Sequence, residues 1–137
     1  MRIFRRYFWW GALALALLAG LLFSRTAGQR PAVIVACPDI VKGCALPHGR
    51  LHVRFERQPH PMQAFRIEVA LPDVREVHAR FSMRGMEMGL NRYRLLSDGP
   101  GRWHADVMLP ACIHGRNDWS LVLEANGSSY EVPFKSS

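Results

Sequence analysis

Phe65-Arg66-Ile67-Glu68-Val69-Ala70-Leu71 is the stretch that decides the fold. Its large apolar side chains stand at every second position, the period of a β-strand with one buried face, whereas a helix would space them by three and four. The same alternation continues on both sides. Upstream, Leu51, Val53 and Phe55 alternate with His52, Arg54 and Glu56. Downstream come Val77, Ala79, Phe81 and Met83, a shorter run at Tyr93 and Leu95, then Trp103, Ala105, Val107 and Leu109. Trp119, Leu121 and Leu123, followed by Tyr130, Val132 and Phe134, complete the set. Pro72-Asp73, Ser97-Asp98-Gly99-Pro100-Gly101 and Asn126-Gly127 supply the turn chemistry expected between antiparallel strands. Short strands at this spacing predict an all-β, immunoglobulin-like antiparallel sandwich of about seven strands over residues 51–137.

The N-terminus follows a different pattern. Eighteen uncharged residues lie between Arg6 and Arg25, centred on an Ala/Leu run, and as a helix they reach roughly 27 Å at about 1.5 Å per residue. Arg2, Arg5 and Arg6 precede them and Trp9 and Trp10 stand at the near edge, the arrangement of a membrane anchor entering from the cytoplasm. A cleaved signal peptide has the same charge order, but Thr26-Ala27-Gly28 is a mediocre cleavage site, which favours an uncleaved anchor. The reading is therefore a basic cytoplasmic tail at 1–6, a single transmembrane helix at 7–24, a linker and lead-in at 25–50, and a periplasmic sandwich. Within the lead-in, the apolar residues 32–36 could add an edge strand.

Of the 18 Lys+Arg, thirteen lie beyond residue 30 together with all 11 Asp+Glu, so the net +7 of the 137-residue chain falls to +2 outside the N-terminus. The basic pI is thus no argument for a nucleic-acid partner.

Export changes how the three cysteines read, because disulfides persist outside the cytoplasm. Cys37 and Cys44 flank a turn-prone hexapeptide and can close a local disulfide. A third cysteine, most simply Cys112, is then left unpaired, although pairing of Cys112 with Cys37 or Cys44 is an open alternative.

Successive strands of a sandwich run in opposite directions, so the loops sort into two ends. Loops 72–76, 97–101 and 126–129 contain no Cys, His or Met. Loops 57–64, 84–92 and 110–118 contain His60 and Met62, Met86 and Met88, and Cys112 and His114. Around Gly85-Met86-Glu87-Met88-Gly89 the apolar parity shifts from odd to even, which calls for a bulge or an irregular loop. In an extended segment, Met86 and Met88 point the same way, as do Cys112 and His114. Thioether, thiolate and imidazole together favour Cu(I) over hard cations, so Met86, Met88, Cys112 and His114 are the candidate ligands. The competing reading packs the methionines on the core. His52, His78 and His104 alternate with core residues and belong to outer faces, and His60, between prolines, is expected in solvent. No nucleophile elbow, phosphate-binding glycine loop or His-x-x-x-His motif is present, and no enzymatic activity is expected.

Met86-Glu-Met-Gly-Leu-Asn-Arg-Tyr-Arg-Leu95, with Gly101-Arg-Trp103, Leu109-Pro-Ala-Cys112, Gly115 and Trp119, resembles an uncharacterised family of bacterial membrane-anchored periplasmic proteins. That family is similar to the FixH and YtkA-like domains, which are associated with copper handling and cytochrome oxidase assembly. The resemblance implies inner-membrane attachment, a copper-dependent oxidase or a copper transport or assembly protein as partner, and functional positions at Met86, Met88, Asn91 and Cys112. It gives Asn91 an orienting role behind the ligands and does not extend to His114. A metal-free periplasmic interaction module using the same methionine loops as a docking surface is the alternative.

Overall fold

In the computed structural model the described residues are 13–20, 31–46, 49–83, 86, 91–111 and 115–137. The chain divides into two compact units, residues 1–30 and 31–137. In the first, residues 13–20 are helical with every side chain exposed. Eight helical residues rise only about 12 Å, and among the described residues no helix is long and apolar enough to cross a membrane. The rest of the 7–24 span lies outside the described residues, so the single transmembrane helix of the sequence reading has only this short helical piece within the structure.

The second unit is a two-sheet β structure of ten strands rather than seven. One sheet has the order β1-β10-β9-β5-β6, formed by Val33–Ile34, Ser128–Lys135, Asp118–Ala125, His78–Met83 and Arg92–Arg94. The other has the order β2-β3-β4-β8-β7, formed by Cys44–Ala45, His52–Phe55, Ala64–Ala70, Arg102–Met108 and Leu96–Gly99. All pairings are antiparallel except that of β1 with β10, which is parallel.

Six of the seven alternating runs became single strands with their apolar members inward. The seventh, Tyr93 and Leu95, is divided between sheets: β6 pairs with β5 and β7 pairs with β8. At the crossover the Leu95 N–H donates to the Val77 carbonyl at 2.9 Å and the side chain is buried. The two other extra strands come from the lead-in. Val35, Ile40 and Cys44 are buried in the common core, and Val35 and Phe55 donate backbone hydrogen bonds to Glu131 and Ile40. Residues 35–44 thus run from the edge of one sheet to the edge of the other and cover the open side between them. Cys37 and Cys44 stand at disulfide distance, with Cα atoms 5.2 Å apart.

An aromatic cluster joins the two sheets. Phe55 and Phe65 of one sheet meet Phe81 and Phe134 of the other, with centroid separations from 5.0 Å for Phe55–Phe134 to 6.5 Å for Phe55–Phe81. Tilted and edge-on pairs of this kind add to the area they bury. The outer face of the second sheet is polar, with Arg54–Glu68 and Arg66–Asp106 ion pairs across neighbouring strands and His104 Nδ1 2.6 Å from Asp98. His52 is exposed, and His78 and His104 are half-buried at outward positions.

Candidate functional site

The described parts of the loops sort into the two groups that strand alternation requires. At one end, the Leu71 N–H donates to the Gly101 carbonyl at 2.8 Å, and Asn126 Nδ2 donates to the Asp73 carbonyl at 3.0 Å. Loops 72–76, 97–101 and 126–129 therefore meet. At the other end, Met62 donates to the Leu109 carbonyl at 2.8 Å, Ser136 to Asn117 at 3.0 Å, and Gln58 Nε2 to Lys135 at 2.7 Å. This second end, the donor end, gathers loop 57–64 and the described residues of loop 110–118. It also holds Met86, which follows Met83, the residue paired with Trp119 in β9.

Of the four candidate ligands, Met86 is described. Its N–H donates to the Met83 carbonyl at 3.0 Å in a tight turn, and its side chain is 37% exposed. β5 ends at Met83, where the sequence parity breaks, and Met86 forms an isolated bridge with Met83. Met86 faces solvent, unlike Met83, which is buried. Met88, Cys112 and His114 lie outside the described residues. Among the described residues there is no group of three or more His, Cys, Asp or Glu able to hold a metal ion.

Asn91 sits at the edge of this region, its carbonyl accepting the Phe81 N–H at 3.0 Å. Its side-chain Oδ1 and Nδ2 are shut off from solvent and have no hydrogen-bond partner among the described residues, and the same holds for Trp119 Nε1. Buried polar atoms left this way are expensive, each by about 1–3 kcal/mol. Asn91 lies in loop 84–92, and Trp119 stands in β9 just after loop 110–118.

Two further thioethers stand nearby: Met62, which the sequence places among the loop donors but outside the ligand set, and Met108, which sequence reasoning missed. Met62 is 62% exposed and Met108 is 44% exposed, both at the donor end. Met108 occupied an outward strand position, where a polar residue is the norm, and that was the available signal. Tyr93 ties it down: the phenol donates to the Met108 carbonyl at 3.0 Å and accepts the Met108 N–H at 3.2 Å.

A groove of about 600 Å³ lies along the outer side of β9 and β10 beside Cys37–Ile40. Three carboxylates line it, each already engaged. Asp39 accepts the Val41 and Lys42 N–H groups, Asp118 pairs with Arg116, and Glu131 accepts the Ser120 hydroxyl. The Lys42 and Val41 amides hold the Asp39 carboxyl below the ordinary carboxylate range. The groove is a feature of sheet packing against the lead-in rather than a ligand cluster.

No family model, curated protein or solved structure matches the chain.

Proposed function

We propose that this chain is a single-pass protein of the bacterial inner membrane whose periplasmic sandwich binds Cu(I) at its donor end. In this reading residues 7–24 form the anchor, the N-terminus is cytoplasmic, and copper is held for, or delivered to, a copper-dependent oxidase or a copper transport or assembly protein. Met86, Met88, Cys112 and His114 supply the ligands, and Asn91 steadies the loop behind them. The strand order supports an immunoglobulin-like arrangement for the sandwich, with β3-β4-β8-β7 facing β10-β9-β5-β6 as two antiparallel layers.

One observation carries the reading: the soft donors are segregated. The loops joined through Asn126, Asp73 and Gly101 hold none, while the opposite loops hold every Cys, His and Met of the loop set. Met86, the one described member of the ligand set, is solvent-facing. Packing on the core, the competing explanation for a Met-rich loop, would have buried it. Thioether and thiolate donors select Cu(I) over oxygen-seeking cations. A small set of soft ligands suits transfer, because each is exchanged singly for a donor of the partner.

The test is an anaerobic Cu(I) titration of the full chain in detergent against a chromophoric chelator. Stoichiometric binding is expected, weakened at least tenfold in Met86→Ala/Met88→Ala and in Cys112→Ser. Binding unchanged in both variants overturns the reading and leaves the loops as a protein-docking surface.

A further inference from the structure

The turn His60-Pro61-Met62-Gln63 leads into β4. It is closed by the Gln63 N–H donating to the His60 carbonyl at 3.3 Å. Proline stands second, where its fixed φ fits, and Met62 stands third with φ +61°. In a type II turn that third place belongs to glycine or asparagine. The other described non-glycine residues at positive φ are Asp73 and Asn126, whose short polar side chains favour that conformation through local hydrogen bonds. Methionine has no such compensation, and here it presents a thioether to solvent at 62% exposure.

The turn lies against β8. Met62 donates to Leu109, Pro61 bridges Leu109, and two residues on Ala64 pairs directly with Met108. Met108 points outward, 44% exposed, and the residue opposite it carries only a methyl group, which leaves room above the strand pair. Tyr93 grips the Met108 backbone on both its N–H and its carbonyl. His60, the first residue of the same turn, is exposed, with its Nε2 3.0 Å from the Ser137 hydroxyl. A strained, exposed methionine is thereby set beside a second exposed methionine on a fixed backbone, with an imidazole in the same turn.

We propose that Met62 and Met108, with His60, form a second surface site for a soft monovalent d10 cation, the class of Cu(I) and Ag(I). Neutral thioethers are poor ligands for Mg²⁺ or Ca²⁺, and two of them with one imidazole lack the thiolate and carboxylate donors typical of zinc sites. The site uses none of Met86, Met88, Cys112 or His114, so it stands or falls separately from the loop site.

The experiment is a titration of the full chain, labelled with ¹³C at the methionine methyls, with Ag(I) in detergent micelles. A Cys112→Ser background keeps the thiol from taking the first equivalent. The Met62 and Met108 methyl resonances, assigned through Met62→Leu and Met108→Leu, are expected to move together and saturate at one equivalent. Each single variant should weaken Ag(I) binding at the remaining methionine at least tenfold, and His60→Gln should weaken it severalfold. Met62→Gly relaxes the turn while deleting the donor. It should weaken binding as much as Met62→Leu, which separates loss of a ligand from loss of the fold. Stationary Met62 and Met108 signals overturn the proposal, as do signals that move independently, or signals that move only with Met86 and Met88 and stop when those are replaced by leucine.

Discussion

The two ends of the sandwich are made by the same strands and closed in opposite ways. At the end formed by loops 72–76, 97–101 and 126–129, residues that favour positive φ occupy the positive-φ positions. Asn126 and Gly127 make the β9–β10 hairpin with φ +47° and +73°, and Gly101 has φ +68°. A Cβ on Gly101 would lie 3.1 Å from Pro72 Cα, so this loop pair packs backbone to backbone. The donor end puts a methionine where such a residue is wanted, leaves three thioethers in solvent, and buries the polar atoms of Asn91 and Trp119 without partners among the described residues. Local chemistry and fold agree at the first end and conflict at the second, and such conflict concentrates where a protein binds something.

The comparison can be broken most severely through the core that both ends share. Phe55→Ala removes a ring in contact with Phe65, Phe81 and Phe134 and is expected to cost about 3–5 kcal/mol. Urea unfolding should show the loss as a lower midpoint at both ends together. A domain in which one end stayed protected from amide exchange would have two cores instead of one.

Next in size is the Cys37–Cys44 link. Closing so short a loop is worth about 2–3 kcal/mol in the chain-entropy view. Cys37→Ser/Cys44→Ser should lower stability by that amount, and reductant should reproduce the effect in the wild type but not in the variant.

Glycine chemistry sharpens the contrast through opposite signs. Gly101→Ala should destabilise by about 1–2 kcal/mol, because alanine is strained at positive φ and the Pro72 backbone blocks its methyl. Met62→Gly should stabilise by about 0.5–1 kcal/mol, since relief of left-handed strain outweighs the entropy glycine adds to the unfolded chain. Equal signs in thermal unfolding would mean that the ends do not differ as described.

The smallest effect is electrostatic and lies between the ends. Hydrogen bonding from Arg66 holds the Asp106 carboxyl below its ordinary value, and the Lys42 and Val41 amides do the same for Asp39. A carboxyl depressed in the folded state binds fewer protons there than in the unfolded chain. Its contribution is therefore complete above the unfolded value of about 3.9 and is lost as pH falls through the folded one. Stability should be flat for these groups from pH 7 to about 5 and decline below about 4. Asp106→Asn should flatten part of that acid limb in a series of urea midpoints.

Much of the fold could be read along the chain because a half-buried strand writes its period into its own residues. Leu51 to Phe55, Phe65 to Leu71 and Trp103 to Leu109 needed no tertiary information, nor did the Asn126-Gly127 hairpin. The parity break after Met83 was legible as an interruption. The bridge from Met86 back to Met83 was not, because nothing in the alternation specifies it.

What the sequence alone determined is therefore what depends on neighbours within a few residues: which faces are buried, where the chain turns, and that the Cys, His and Met residues of the inter-strand loops all fall in one set of them. Tertiary structure decided what depends on partners far along the chain. Tyr93 and Leu95 share one alternation yet serve two sheets, because Arg92–Arg94 finds β5 while Leu96–Gly99 finds β8. Residues 35–44 became a wall of the core because the open side between β10 and β3 needed covering. Met62 and Met108, 46 positions apart in the chain, were brought close by the β4–β8 register and by the Met62 N–H donating to the Leu109 carbonyl. Register is a property of two strands at once, so neither strand's sequence contains it.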